Sequence, residues 1–201
     1  GGGFTLPQWL IKTRPGSHAR VLEVDGKLVD LDRDELGLKT SANLQAVVGD
    51  ARSEMRDVPG RSADVVVGDA FSGYTVPWQL LTREWLDEVK RVLKPGGIYA
   101  INLIDFGKLE MVRAELATLR RQFADVQLVA TPDAGGDVSN QSGNLVVLAS
   151  DRRRTWKGFD NVQELNATIF DRDATARLAA GGKLLRDDYA PVDQLLTLPD
   201  Q

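Results

Sequence analysis

The sequence predicts an α/β fold, a mostly parallel sheet with helices on both faces and an antiparallel edge. Three observations carry this. Strand-like apolar runs at Ala19–Val24, Leu44–Val48, Asp64–Gly68 and Ile98–Ile104 are each followed by a longer charged or amphipathic stretch. The earlier runs end in a carboxylate beside small residues, as in Asp25-Gly26, Gly49-Asp50-Ala51 and Gly68-Asp69-Ala70. In open α/β sheets this carboxyl edge is where ligands bind, because strand ends and helix starts splay apart there. Finally, Val126–Ala130 and Leu145–Ala149 are joined by the Gly/Asp/Ser/Asn-rich segment 132–144, with no helix between them, which suits an antiparallel closing pair.

In chain order, Gly1-Gly2-Gly3 opens the sequence and Leu6–Thr13 has helical apolar spacing, broken by Arg14-Pro15-Gly16. After the first strand, Lys27–Leu36 is a charged helix. Arg52–Val58 is a short helix closed by Pro59-Gly60. The run Val65-Val66-Val67 lacks a polar break and reads as a strand buried on both faces. Residues 74–78 form a loop, Thr82 caps a helix running to Leu93, and Lys94-Pro95-Gly96-Gly97 ends it. Gly107–Phe123 places Leu109, Val112, Leu116, Leu119 and Phe123 on one helical face. Arg152-Arg153-Arg154 reads as a solvated basic run, Val162–Leu178 as a helix, and Gly181-Gly182 as its stop. No repeat or second domain is evident, so residues 1–201 are expected to form one domain.

Composition narrows the chemistry. The chain has 201 residues and no cysteine, which excludes disulfides, thiolate metal sites and a cysteine nucleophile, and fits a reducing, cytoplasmic setting. Its single histidine, His18, rules out a multi-histidine metal centre and reads as an exposed loop residue, so no metal is expected. The net charge of −4 argues against a general nucleic-acid binder and permits a cationic small molecule. No apolar run approaches the roughly eighteen residues that cross a bilayer, so no membrane partner is expected for this segment. The tryptophans Trp9, Trp78, Trp85 and Trp156 read as packing residues, with Trp78 also able to cover a ligand.

Asp69 is the first candidate for chemistry, as a base, a ligand clamp or a helix cap. Glu23 lies twenty residues beyond Gly3, the remove at which an acidic side chain can accept both ribose hydroxyls in nucleotide-binding α/β units; the alternative is that Glu23 and Asp25 are solvated strand-end charges. Asp50 reads equally as the N-cap of the helix after it. The glycine pattern is incomplete, because Leu6 stands where a third glycine would finish G-x-G-x-x-G. The three glycines are either a flexible leader or the start of the chain inside a larger fold.

Taken together, Gly1–Pro7, Leu22-Glu23-Val24-Asp25, Gly49-Asp50-Ala51, Val67–Ser72, Val76-Pro77 with Leu81–Trp85, Leu93–Gly97 with Asn102, and Asp187–Val192 resemble the spermidine synthase (polyamine aminopropyltransferase) family. That family is a branch of the S-adenosylmethionine-dependent methyltransferase fold. The resemblance implies a Rossmann-like, seven-stranded sheet whose first strand and small amino-terminal β-domain are absent from this sequence. It further implies that Gly1, Gly2 and Gly3 lie under the nucleoside and amino-acid part of the sulfonium co-substrate, that Glu23 with Asp25 holds the ribose, and that Asp50 and Ala51 face the adenine. Asp69 would stand near the sulfonium and the attacking amine, with Ser72 and Tyr189 bordering the acceptor; apart from the resemblance, Asp187 and Asp188 read as caps of a terminal turn.

Better-known members carry a second aspartate where this chain has Ser72, which removes a charge-assisted contact to a diamine. The expected activity is aminopropyl transfer from decarboxylated S-adenosylmethionine to a polyamine acceptor, with no metal. The competing readings are an S-adenosylmethionine-dependent small-molecule methyltransferase and a catalytically silent nucleoside-binding homologue. Pairing into a homodimer is the family's habit and is carried over as an expectation.

Overall fold

The computed structural model describes residues 2–71, 73, 76–138, 142–156 and 167–198. Gly1 and Ser72 lie outside the described residues, as does most of the first half of the helix expected over 162–178. The chain divides into two compact units, Gly1–Val58 and Pro59–Gln201.

The first unit begins with a 3-10 turn, Gly2–Phe4, leading into α1 (Thr5–Thr13). Pro7 fits the first turn of α1 because the amide it lacks has no partner there. Pro15-Gly16 then turns the chain into β1 (Ala19–Glu23), with Gly16 at φ 84°. α2 (Gly26–Glu35) starts where Asp25 accepts the N–H groups of Lys27 and Leu28. β2 (Leu44–Val48) pairs parallel to β1, from Ala19 opposite Leu44 to Glu23 opposite Val48. α3 (Ala51–Glu54) and the 3-10 turn Met55–Asp57 close the unit. Its small core is Phe4, Val29, Leu38 and Leu44, with Ile11, Ala19, Val21 and Ala46 packed against it.

The second unit holds β3 (Ala63–Gly68), α4 (Arg83–Val92), β4 (Leu93–Ile104), α5 (Glu110–Gln122), β5 (Asp125–Ala130), β6 (Asn144–Ser150), β7 (Thr168–Ile169), α6 (Arg172–Ala179) and α7 (Val192–Leu195). Its sheet order is β3-β4-β6-β5-β7. β3 runs parallel to β4, whereas the β4–β6, β5–β6 and β5–β7 ladders are antiparallel. The physical reason is the connection: among the described residues the segment after β5 carries no helix, and β6 returns antiparallel and slots between β4 and β5. Leu86, Val89 and Val92 of α4, Val112, Leu116 and Leu119 of α5, and Tyr99, Ile101 and Leu103 of β4 are all nearly without exposure and belong to the core of this unit. Among the described residues no helix is long and apolar enough to cross a membrane.

The first unit holds a two-stranded parallel sheet and the second a five-stranded mixed sheet, and the α/β class holds as the sequence predicts. Several expectations change. Val65 and Val67 are 51% and 49% exposed, so β3 is not buried on both faces; it is the edge strand of its sheet. The Lys94–Gly97 turn is absorbed into β4, with a register irregularity between Ala63 and Val65 and Gly96 at φ 79°. The final long helix starts only at Arg172, because Thr168-Ile169 pairs with β5 and Asp171 then accepts the Ala174 N–H as N-cap.

Of the tryptophans, Trp85 is buried and donates from Nε1 to the Tyr99 hydroxyl (3.3 Å), but Trp9 is 54% exposed and packs no core. The basic run is not simply solvated either. The Arg154 amide bonds to buried Asp125 (2.7 Å), whose carboxylate also takes two hydrogen bonds from Arg172 (2.6 and 2.9 Å).

Candidate active site

Asp69 follows the last residue of β3, and the step before it explains its position. A Cβ on Gly68 would come 2.8 Å from the Tyr99 hydroxyl and 3.2 Å from Ile101 Cγ1, so only glycine lets β3 lie flat on β4 here. Asp69 itself is exposed, and Asn102 of β4 donates from Nδ2 to its Oδ1 at 3.0 Å. Among the described residues no arginine or lysine is paired with it, so the carboxylate keeps acceptor capacity for an incoming donor.

Asn102, which sequence reasoning noted only as part of a motif, is therefore the side chain that holds Asp69. The signal available beforehand was a polar residue interrupting the apolar alternation of Ile98–Ile104.

One strand over, Asp105 stands at the carboxyl end of β4 and was passed over in the sequence. It is buried, and its two oxygens accept the backbone N–H groups of Phe106 (2.9 Å), Met111, Val112 and Thr197 (3.1 Å each). Burial pushes its carboxyl above the ordinary value, while the four N–H groups pull it down. Asp105 thus caps α5 and ties it to the tail ahead of Leu198.

Tyr189 lies in a turn closed by reciprocal Arg186 and Tyr189 backbone bonds (3.0 Å each). That turn is anchored at the start of α4, where the Arg83 N–H donates to the Leu185 carbonyl and the Asp187 N–H donates to Glu84 Oε2. The Tyr189 ring is 52% exposed, with Lys183 Nζ 6.0 Å from its centroid. The exposed ring can meet a ligand, while the turn itself is held by backbone bonds.

In the first unit, Glu23, Asp25, Asp50 and Ala51 gather at the carboxyl ends of the two parallel strands. The Gly49 N–H donates to the Glu23 carbonyl (2.9 Å), which sets the two strand ends side by side. Glu23 Oε1 accepts the Asp25 N–H (3.0 Å). Asp25 caps α2 through Oδ1, and Asp50 caps α3 by accepting the Ser53 N–H at 2.9 Å. Both aspartates use Oδ1 in these bonds, so the capping role is real and Oδ2 is left over in each. Gly3, at φ 73°, donates its N–H to Oδ1 of Asp32 (3.0 Å), and Gln8 Nε2 donates to the Gly3 carbonyl (2.8 Å). Asp32 is almost fully buried on α2 and was not singled out in the sequence, although it sits one turn beyond buried Val29 on the same helical face. His18 is exposed in the loop before β1. Among the described residues no group of three or more His, Cys, Asp or Glu side chains is arranged to hold a metal ion.

A polyamine aminopropyltransferase of Vibrio vulnificus (strain CMCP6) is 30% identical to the chain over 150 residues, covering 74% of this chain and 47% of that protein. The structure superimposes on that of a probable spermidine synthase from Corynebacterium glutamicum ATCC 13032 with a TM-score of 0.82 and 25% identity, over 99% of this chain and 72% of the other. Human methyltransferase-like protein 13, solved in complex with SAH, matches with a TM-score of 0.63 and 19% identity, over 96% of this chain and 85% of that one. No protein-family model matches the chain.

The fold is thus the Rossmann-like α/β fold shared by methyltransferases and spermidine synthases. Within it, the chain is similar to spermidine synthases and polyamine aminopropyltransferases. It spans about half the length of the Vibrio relative.

Proposed function

We propose that this chain carries the transferase domain of an aminopropyltransferase, which moves the aminopropyl group of decarboxylated S-adenosylmethionine to a small-molecule polyamine acceptor. The observation that carries the reading is Asp69, an exposed carboxylate at a strand's carboxyl end that accepts a hydrogen bond from a neutral donor, Asn102. A free alkylamine holds its proton up to a pKa of about 10.4, so it must lose that proton before or during attack. Asp69 attracts the ammonium and accepts the proton as general base. The nitrogen lone pair attacks the methylene beside the sulfonium, the C–S bond breaks, and its electrons leave on a neutral thioether.

The other roles follow the family resemblance. Glu23 with Asp25 takes the ribose hydroxyls, Asp50 and Ala51 face the adenine, and Gly1, Gly2 and Gly3 lie under the amino-acid portion. Ser72 and Tyr189 border the acceptor, and no metal is required. Because the sulfonium loses its charge during transfer, the carboxylates serve recognition, and rate comes from alignment and from the base. A second reading, methyl transfer from ordinary S-adenosylmethionine, is favoured by the likeness to human methyltransferase-like protein 13. A third is a silent homologue that binds nucleoside without turnover. A cytoplasmic location accompanies the first reading.

Titration calorimetry with decarboxylated and with ordinary S-adenosylmethionine tests it. The aminopropyl reading predicts tighter binding of the decarboxylated form, and formation of spermidine from putrescine. Preference for the ordinary form, with methylated product, overturns it.

A further inference from the structure

Asn102 stands on β4 at a position where folding alone favours an apolar side chain. Tyr99, Ile101 and Leu103 point to the buried face, and Ala100, Asn102 and Ile104 alternate with them on the other. The neighbours of Asn102 on its own face are therefore apolar. Its backbone is fixed by the sheet, since Asn102 is opposite Val146 of β6 and Ile101 is opposite Gly68 of β3. The amide Nδ2 donates to Asp69 Oδ1 at 3.0 Å, but Oδ1 of the same amide is buried and has no hydrogen-bond partner among the described residues. An orphaned buried acceptor destabilises the fold, so a valine here would serve the strand better. A residue that weakens its own strand while holding a surface carboxylate fits the trade of stability against activity found at functional sites.

We infer that Asn102 is a positioning residue for Asp69. The donated hydrogen bond fixes the rotation of the carboxylate about its Cβ–Cγ bond and leaves Oδ2 as the oxygen that takes the amine proton. The polarity of this contact also explains the orphan: turning the amide over to satisfy its oxygen would direct that oxygen at the carboxylate. The inference rests on the reading of Asp69 as the base.

The test is a comparison of Asn102→Val, Asn102→Asp and Asp69→Asn with the parent chain in steady-state aminopropyl transfer and thermal melts. Asn102→Val is expected to melt at the same or a higher temperature, to lose about ten- to a hundredfold in kcat, and to keep its KM for the amine within about threefold. Asn102→Asp sets two carboxylates together that share one proton, so the acid limb of its pH–rate profile moves upward by about one unit or more. A role confined to packing moves neither the kcat-to-KM split nor that limb.

An Asn102→Val variant with parental kcat overturns the inference if Asp69→Asn is inactive; if Asp69→Asn is also fully active, the base reading itself falls. Should the parent transfer nothing, NMR decides. The Asn102 side-chain NH2 resonances are expected to shift and exchange faster in Asp69→Ala, and unchanged resonances overturn the inference.

Discussion

Asp69 and Asp105 occupy equivalent places, just past the carboxyl ends of the neighbouring parallel strands β3 and β4, and have opposite surroundings. Asp105 is buried and accepts four backbone N–H groups, from residues one, six, seven and 92 positions along the chain. Asp69 is exposed and, among the described residues, receives one hydrogen bond from one neutral side chain. The first has its acceptor capacity consumed by the fold, and the second has most of it left for a ligand. A carboxylate at a strand end is thus not by itself a functional sign; what separates the two is where the next helix begins. α5 starts within reach of Asp105, after Leu109 at φ 55°, whereas α4 starts fourteen residues after Asp69 and takes its own cap, Thr82.

The largest expected effect comes from breaking the structural member of the pair. Asp105→Ala strands several buried N–H groups, each costing about 1 kcal/mol or more, so the second unit should lose about 3 kcal/mol in a denaturant melt. A loss under about 0.5 kcal/mol would show that water replaces the carboxylate and that the contrast with Asp69 is overstated.

Glu115 of α5 sharpens the comparison as a third kind of carboxylate, fully buried with both oxygens unpartnered among the described residues. Burial pushes its carboxyl well above 4.5. The folded chain therefore keeps a proton that the unfolded chain releases, and stability falls as pH rises from near 4.5 through the folded pKa, at up to about 1.4 kcal/mol per unit. Glu115→Gln cannot titrate, so its stability relative to the parent should rise as pH increases above about 5 in paired urea melts. Parallel pH curves for the two proteins would mean that Glu115 is ionised and satisfied.

The smallest effect belongs to Asp50, a cap that resembles Asp105 in kind but makes a single exposed bond. Asp50→Ala should lower the stability of the first unit by about 1 kcal/mol, read by amide exchange in α3. If nucleoside affinity also falls in calorimetry, the aspartate serves both cap and ligand; an unchanged affinity leaves it a cap only.

Much of this was legible in the chain. The positions of β1, β2, β3 and β5 and the helices around Leu6–Thr13, Lys27–Leu36 and Gly107–Phe123 follow from local spacing and turn chemistry. The departures share one cause, partners distant in sequence. The edge position of β3, the insertion of β6 between β4 and β5, and the use of Arg154 and Arg172 by Asp125 depend on tertiary pairing that no window of sequence contains. Asp105 was missed for the same reason, since three of its four donors lie at least six residues away. The late start of α6 was readable in part, because Asp171 is an ordinary N-cap and Thr168-Ile169 is β-branched, but the apolar spacing across 162–178 outweighed both.

The most direct test makes both substitutions isosteric and reads rate and melting temperature on the same samples. Asp69→Asn should lower single-turnover aminopropyl transfer by about a hundredfold or more while leaving the melting temperature unchanged, and Asp105→Asn should lower the melting temperature while transfer below the melt stays within about threefold of the parent. Undiminished transfer by Asp69→Asn, or a loss of transfer confined to Asp105→Asn, would contradict the assignment of chemistry to one aspartate and architecture to the other.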